Sequence, residues 1–227
     1  MPTYEYNRDY PFAAFITNLG KYNEGELIGE WVKFPTTAEE LKAAMDSIGI
    51  GQKDDFGYAY EEWFITDYDC YVDGLYDKLG EYVNLDELNY LASKLDEFSQ
   101  SEYERFQAAM SVGDHGGSLQ DMINLTENLD CYEVNPNITD YDDLGRYYIN
   151  ELDVMQIPDY LENYIDYEAY GRDVALDEYG QFTDYGYVRD TGDSFVEFYD
   201  GNPENIPEEY RVMSVPEENL SKEEIEE

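Results

Sequence analysis

The amino-acid sequence predicts an α+β fold whose elements change from mixed to helical and back to mixed along the chain. In the first section, the apolar runs Phe12–Asn18 and Trp63–Thr66 flank a third run around Leu27–Phe34 and a short helix. From about Asp77 the apolar residues recur with the period of a helix. From Asp130 onward, short strand-like and helical segments alternate again.

The first section is predicted to contain three strands and one helix. An unbroken apolar run makes Phe12–Asn18 a buried strand, and Glu26–Phe34 and Tyr60–Tyr68 are the second and third strands. Thr37 and Glu40 have the spacing of a capping box, in which each side chain satisfies a backbone N–H group at the start of a helix. The apolar side of that helix carries Leu41, Ala44, Met45 and Ile48 at helical spacing.

Three helices are predicted in the middle section, each after a capping residue. Asn84, Ser99 and Ser118 are of the types that accept hydrogen bonds from the free backbone N–H groups at a helix start. The helix after Asn84 has the clearest apolar stripe, which consists of Leu85, Leu88, Leu91, Ala92, Leu95 and Phe98.

The last section mixes both kinds of element. Cys131–Val134 is a strand candidate, and Thr139 precedes a predicted helix over DYDDLGRYYINELD. Pro158 begins a tyrosine-rich helical segment, and Phe182–Val188 and Ser194–Tyr199 are predicted to pair as a hairpin. The last 27 residues contain three prolines and nine glutamates, which predicts a flexible acidic tail.

Net charge is the feature in which the composition departs most from that of an ordinary globular protein. The 227 residues contain 54 Asp and Glu against 13 Lys and Arg, a net charge of −41. Hydrophobic residues at 42% and aromatic residues at 16% still provide for a packed core. Such a charge disfavours binding to nucleic acid and to anionic membranes. A basic protein, a cation or a very salty solvent would complement it.

The sequence lacks the usual signals for export, catalysis and metal binding. Its start has no apolar segment of the signal-peptide type, no run approaches the roughly 18 apolar residues of a membrane span, and two cysteines suit a reducing cytoplasm. His115 is expected to be an ordinary loop residue, and Trp31 and Trp63 are expected in the core. The segment DYDCYVDG departs from the spacing of a calcium loop. We therefore predict neither a catalytic group nor a metal site nor a cofactor.

The charge density of the chain is comparable with that of DNA. A symmetric dimer would carry twice the net charge of −41. Because duplex DNA carries one charge per roughly 1.7 Å of axis, the charge of such a dimer corresponds to about 140 Å of duplex, or about 40 base pairs. Composition therefore permits competition with DNA for a basic groove, although acidic chaperones and acidic tails are also highly charged.

Several linked blocks of the sequence resemble the ArdA antirestriction family. They are AFITNLGKYNEGELIGEWVKFP, YEEWFITDYD, LGRYYINEL and YIDYEAYGRD, within about residues 12–199. The first has the family's form L-x-x-YN-x-G-x-L-x-G-x-W at Leu19, Tyr22, Asn23, Gly25, Leu27, Gly29 and Trp31. The second is similar to EEW-x-I-x-DYE at Glu61, Glu62, Trp63, Ile65, Asp67 and Tyr68, with Asp69 in place of the last Glu and Thr66 where His is common.

The resemblance implies an elongated, curved chain of three small domains. These are an N-terminal α+β domain over 12–77, a helical middle domain over 78–128 and a C-terminal α+β dimerisation domain over 129–199, with a polar lead-in over 1–11 and the acidic tail over 200–227. It also implies a head-to-head homodimer through the C-terminal domain. The family's antirestriction motif corresponds to Asp140–Asp153, with the expected interface residues Asp140, Asp142, Asp143, Leu144, Tyr147, Tyr148 and Glu151.

The resemblance further implies DNA mimicry without a chemical step. Proteins of this family are carried by mobile elements of bacteria, and the acidic chain is expected to fill the DNA groove of a type I restriction–modification enzyme at its methyltransferase core. Cleavage of incoming DNA would be blocked, and inhibition of modification stays open. The expected phosphate surrogates are Glu24, Glu26, Glu30, Glu39, Glu40, Asp54, Asp55, Glu61, Asp67, Asp69 and Asp73.

Two other classes of function remain compatible with the composition. A cation-binding or salt-adapted structural protein would fold in a manner that depends on salt or calcium. A carboxylate-based hydrolase would hold two carboxyl groups in a cleft, one with a strongly raised pKa. Neither accounts for the block that ends at Trp31. Within the mimic class, a different DNA-binding target also stays open.

Overall fold

The computed structural model describes residues 10–213 and confirms the α+β class. These residues contain seven α-helices and two three-stranded antiparallel sheets. The described chain divides into two compact units, one made of residues 10–97 and 199–213 and the other of Phe98–Phe198. The division into three domains stays a prediction, and residues 1–9 of the lead-in and 214–227 of the tail lie outside the described part.

The first unit is built on a sheet with the strand order β2-β1-β3. Its strands are β1 (Phe12–Asn18), β2 (Gly29–Phe34) and β3 (Trp63–Cys70). The central strand β1 has the predicted bounds, and all of its residues except Phe15 are buried. The unbroken apolar run therefore marks the central strand of the sheet.

The two outer strands begin later than predicted. The Glu26 carbonyl accepts a hydrogen bond from the Ile28 N–H group in a turn, so β2 starts only at Gly29. The Tyr60 backbone bonds to Gly51 and Gln52 instead of β1, so β3 starts at Trp63 and extends to Cys70.

Three helices accompany this sheet, namely α1 (Leu19–Asn23), α2 (Ala38–Ser47) and α3 (Leu85–Asp96). The predicted capping box starts α2, since Thr37 accepts from the Glu40 N–H group and the Glu40 carboxylate accepts from the Thr37 N–H group. Asn84 caps α3 as predicted. The buried side of α3 includes the predicted stripe of Leu85, Leu88, Leu91, Ala92 and Leu95.

Residues 200–213, which the sequence analysis placed in a flexible tail, pack into the first unit. Ile206 and Val212 are buried. The Asp86 Oδ1 atom, in the first turn of α3, accepts hydrogen bonds from the N–H groups of Val212 and Met213 at 2.6 and 2.8 Å. The sequence analysis missed these contacts because it judged the segment by its composition, which is rich in Glu and Pro.

The second unit contains four helices and the second sheet. The helices are α4 (Gln100–Val112), α5 (Leu119–Thr126), α6 (Tyr141–Arg146) and α7 (Tyr167–Glu178). The sheet has the order β4-β6-β5, with β4 (Tyr132–Asn135), β5 (Gln181–Thr183) and β6 (Gly186–Asp190). Ser99 and Ser118 cap α4 and α5 as predicted, whereas Asp140 caps α6 in place of Thr139.

The hairpin of this sheet differs from the predicted one. It joins β5 to β6 through a turn at residues 184–185, followed by Gly186 with a φ of 106°. Residues 194–198 form no strand, because the side chain of Asn128 binds the Val196 N–H and carbonyl groups and Asn124 accepts from the Phe198 N–H group. These side chains satisfy backbone groups that a neighbouring strand would otherwise have bound.

Two glycines allow α6 and α7 to cross in close contact. A Cβ atom on Gly145 would lie 2.0 Å from the Tyr167 carbonyl oxygen, and one on Gly171 would lie 1.9 Å from the Tyr141 carbonyl oxygen. The same two helices contribute to the core cluster of this unit, which consists of Ile138, Leu144, Ala175 and Tyr187. The crossing therefore sets the spacing of that core.

We expect Gly171→Ala to lower the free energy of unfolding by about 2–4 kcal/mol, because the added methyl group must push the two helix backbones apart. Denaturant unfolding would measure the change. Gly117→Ala is the matched control, since the nearest atom to its new Cβ is an Asp121 side-chain oxygen at an ordinary 3.5 Å. Equal midpoints for the two variants would contradict the proposed role of the crossing.

Asp86→Ala should lower the free energy of unfolding by about 2–4 kcal/mol, because the backbone N–H groups of Val212, whose hydrogen bond to Asp86 is buried, and Met213, whose hydrogen bond is partly buried, lose a charged acceptor. Asp96→Ala, at an exposed position of the same helix, removes one carboxylate without a hydrogen-bond partner among the described residues. We expect it to change stability by less than about 0.5 kcal/mol. If both variants unfold at the same denaturant concentration, Asp86 does not anchor residues 200–213.

Candidate functional site

The eleven carboxylates expected to act as phosphate surrogates lie mostly at the surface of the first unit. Eight are exposed, and Asp54, Asp69 and Asp73 are partly buried. They follow the chain from the end of α1 to the loop after β3, and no single pocket gathers them. Their correspondence with DNA phosphates stays a prediction.

Glu24 belongs to a polar cluster with Lys21 and Tyr60. Its carboxylate accepts a hydrogen bond from the Tyr60 hydroxyl at 2.8 Å and pairs with Lys21 Nζ at 3.1 Å. The hydrogen bond from Tyr60, followed by that from Lys21, lowers the pKa of Glu24. Glu24 therefore keeps its charge at a lower pH than an isolated glutamate, with part of that charge compensated locally.

Three other expected surrogates have structural roles. Asp54 Oδ1 accepts from the N–H groups of Phe56 and Tyr58 and closes the loop between them. Glu40 completes the capping box of α2. Asp69 accepts from two tyrosine hydroxyls at 2.6 and 3.2 Å. Substitution of these residues would therefore change stability as well as charge.

Three expected surrogates are free of such roles. The side chains of Glu39, Asp55 and Glu61 are exposed and have no hydrogen-bond or ion-pair partner within residues 10–213. They are the positions at which charge can be removed with the least effect on the fold.

Several of the basic side chains are engaged within their own unit. Arg146 pairs with Asp142 at 2.6 Å, and Arg189 is ion-paired with Glu133. The Arg211 guanidinium donates to the Ile206 carbonyl at 2.7 Å. Because Arg146 and Arg189 are compensated locally and acidic residues outnumber basic ones by 54 to 13, the exposed carboxylates determine the sign of the surrounding field.

The expected antirestriction motif, Asp140–Asp153, spans α6 and a turn of π-helix over Tyr147–Glu151. Asp140 caps α6 by accepting from the Asp143 N–H group at 2.9 Å. Asp143 in turn accepts from the hydroxyl and N–H groups of Thr139 at 2.8 and 3.1 Å, and these hydrogen bonds lower its pKa. Two of the expected interface carboxylates thus hold the start of their own helix.

The remaining motif residues divide between core and surface. Leu144 is fully buried, and Tyr147 and Tyr148 pack against the core cluster of the second unit. The Tyr148 hydroxyl bonds to the Glu178 carboxylate, and burial, together with this bond, raises the pKa of Tyr148. Glu151 is exposed. A contact of these residues with a second chain stays a prediction.

An exposed apolar segment overlaps the end of the motif, and the sequence analysis noted only its part from Pro158 onward, as the start of a tyrosine-rich helical segment. We call it the 152–164 segment, and its exposed members are Leu152, Val154, Met155, Tyr160, Leu161 and Tyr164. Its second half forms a 3₁₀-helix over Asp159–Tyr164, and the sequence analysis did not predict that its apolar side chains are exposed. The available signal was the density of large apolar residues in an otherwise acidic region.

Trp31 corrects an expectation, since it was predicted in the core but is 46% exposed. Strand alternation explains the difference, because its neighbour Val32 is buried on the side that faces the core. On the other side, the Trp31 ring packs against Phe15 with centroids 5.2 Å apart. Trp63 is partly buried.

Within residues 10–213, no group of three or more His, Cys, Asp and Glu side chains is arranged to hold a metal ion. The only histidine, His115, stacks on Phe195 with ring centroids 3.6 Å apart. None of the helices in this range has the length and apolar character needed to cross a membrane.

Comparison with known proteins identifies the family of the chain. A family model described as antirestriction protein (ArdA) matches residues 14–189. A comparison with curated proteins found no match. The family match spans nearly all of the first sheet, the four helices of the second unit and almost all of its sheet. Because it covers well over half of the chain, the protein belongs to the ArdA family of antirestriction proteins.

Proposed function

We propose that the protein mimics the shape and charge of B-form DNA and occupies the DNA-binding groove of type I restriction–modification enzymes. Bound at the methyltransferase core, it would block restriction of incoming mobile-element DNA by occupancy alone. Antirestriction follows from family membership. The observation that supports DNA mimicry is the distribution of charge, in which most of the expected carboxylates are exposed while basic side chains such as Arg146 and Arg189 are ion-paired within their own unit.

The physical basis of such mimicry is the exchange of one polyanion for another. A net charge of −41 holds condensed counterions, and their release on binding favours association as it does for DNA. Contacts to phosphates position a protein on DNA but carry no sequence information. A mimic of those phosphates should therefore inhibit enzymes that recognise different DNA sequences.

A homodimer would extend the mimic along more of the groove. The support for it is the 152–164 segment, which exposes six large apolar side chains at and after the end of the expected motif. Apolar patches of this kind commonly mark protein interfaces. We propose that two copies associate through this segment of the second unit, which doubles the charge presented to the enzyme.

A competition assay tests the proposed target. A type I methyltransferase core bound to labelled duplex DNA would be titrated with the protein at physiological salt, with poly-glutamate of matched charge as the control. We expect near-stoichiometric displacement by the protein and not by poly-glutamate, because the spacing of charges should matter. If both displaced the DNA equally well, the protein would act only as a generic polyanion and not as a mimic of DNA.

Single substitutions should have little effect in the same assay. We expect Glu39→Gln to weaken displacement by less than about twofold, because the field is the sum of many carboxylates. One such substitution that abolished displacement would contradict a distributed mimic.

Val154→Glu should raise the dissociation constant of the dimer by at least about tenfold, because it would place a charge in an apolar interface. Sedimentation velocity would measure the shift. Leu176→Glu is the matched control, since Leu176 is an exposed apolar residue on α7 outside the 152–164 segment. A dimer that survives Val154→Glu, or the lack of any dimer, would reject this interface.

A further inference from the structure

The first sheet has an open face on which side chains form two rows across the strands. In one row, the register aligns Lys33 of β2 with Asp69 of β3. In the next row, it aligns Trp31 of β2 with Phe15 of β1 and Asp67 of β3. Both rows lie on the same face, because alternate residues of a strand point to the same side.

The first row already contains a cation. Lys33 Nζ lies 4.6 Å from the centre of the Tyr10 ring, and the Tyr10 hydroxyl donates to Asp69 at 3.2 Å. In the second unit, Arg146 lies 4.2 Å from the centre of the Tyr167 ring and is ion-paired with the aspartate four residues before it. This chain thus places basic groups on aromatic rings that have a carboxylate nearby, bound to the ring hydroxyl in the first case and to the cation in the second.

The second row has two aromatic rings, those of Trp31 and Phe15, and the carboxylate of Asp67, but no cation. A groove of about 520 Å³ opens there, between the apolar side chains Phe15, Tyr22, Leu27, Trp31 and Phe64. Asp67 and Glu81 also line it, and no Lys or Arg of the described chain does. The hydrogen bonds that Asp67 accepts both go to Oδ1, so Oδ2 accepts none from residues 10–213.

We propose that this groove binds an arginine side chain of a basic partner protein. The guanidinium would stack on the Trp31 ring and pair with Asp67 and Glu81. Arginine suits the groove better than lysine, because its planar group stacks on aromatic faces, is weakly hydrated and can bind a carboxylate through two hydrogen bonds. The apolar walls would cover the methylene groups of its side chain. The net charge of −41 favours a basic partner.

The identity of that partner rests on the proposed function. A protein surface that binds DNA phosphates presents arginine and lysine side chains, and the DNA groove of a methyltransferase core is such a surface. The groove would add a short-range stacking contact to the long-range attraction between charges. Aromatic side chains would then contribute to binding in a way that a phosphate cannot.

Fluorescence of Trp31 gives a direct test. The chain has two tryptophans, so Trp63→Phe leaves Trp31 as the single reporter. The variant, checked for folding by circular dichroism, would be titrated at low salt with acetyl-Gly-Arg-Gly-amide. We expect a saturable fluorescence change, and binding at least about fivefold weaker when neutral citrulline replaces arginine. Equal binding of the two peptides, or no change with either, would overturn the proposal.

Charge variants in the Trp63→Phe background distinguish binding in the groove from attraction to the overall negative charge. We expect Asp67→Asn and Glu81→Gln each to weaken peptide binding by about threefold or more, and Asp55→Asn by less than about 1.5-fold. Asp55→Asn removes the same charge from an exposed residue that does not line the groove. Equal effects at all three positions would overturn the groove as a site.

The full chain with only Trp31→Leu tests the link to the partner. We expect it to displace DNA from the methyltransferase core at least about fivefold less well than the unmodified chain. Displacement that is unchanged in Trp31→Leu would overturn a role of the groove at this partner. If the unmodified chain fails to displace DNA while the arginine peptide still binds Trp31, the proposed function fails and the arginine site stands.

Discussion

Every element of this fold forms against the mutual repulsion of its carboxylates, because the 227 residues carry a net charge of −41. The chain offsets part of this repulsion by giving acidic groups local hydrogen bonds. Glu40, Glu102 and Asp143 accept from backbone N–H groups at or next to helix starts, where the helix dipole also favours negative charge. Tyrosine hydroxyls bind others, as Tyr60 does Glu24. The acidic groups that create the field therefore also support the structure beneath it.

Elements with local signals could be predicted from the sequence, and those that depend on distant partners could not. The starts of α2, α3 and α4 were predicted because a capping side chain acts on backbone groups only two or three residues away. The packing of residues 200–213 depends on Asp86, 126 residues before Val212. No local pattern reports such a contact. In the same way, the backbone of Val196 and Phe198 binds asparagine side chains of and beyond α5 instead of a strand.

For the candidate site, the resemblance predicted a surface and a motif, but it did not predict which contacts each side chain makes. Exposure of most of the eleven carboxylates follows from the cost of burying an ionised group. The sequence could not show that Asp54 closes a loop, since this depends on the path of the backbone after it. Nor could it show that Trp31 faces outward. The alternation of β2 fixes which residues share a face, but neighbouring elements decide which face is covered.

The return of residues 199–213 to the first unit affects the order in which a newly synthesised chain can fold. The ribosome must make all of Phe98–Phe198 before the residues that complete the first unit exist. The second unit can therefore finish folding earlier, although multidomain chains usually fold from the N-terminus. Until residues 212 and 213 are made, the carboxylate of Asp86 lacks the two backbone N–H donors that it binds in the folded protein. A chain that ends before Val212 would therefore leave the Asp86 carboxylate without these two donors and the first unit incomplete.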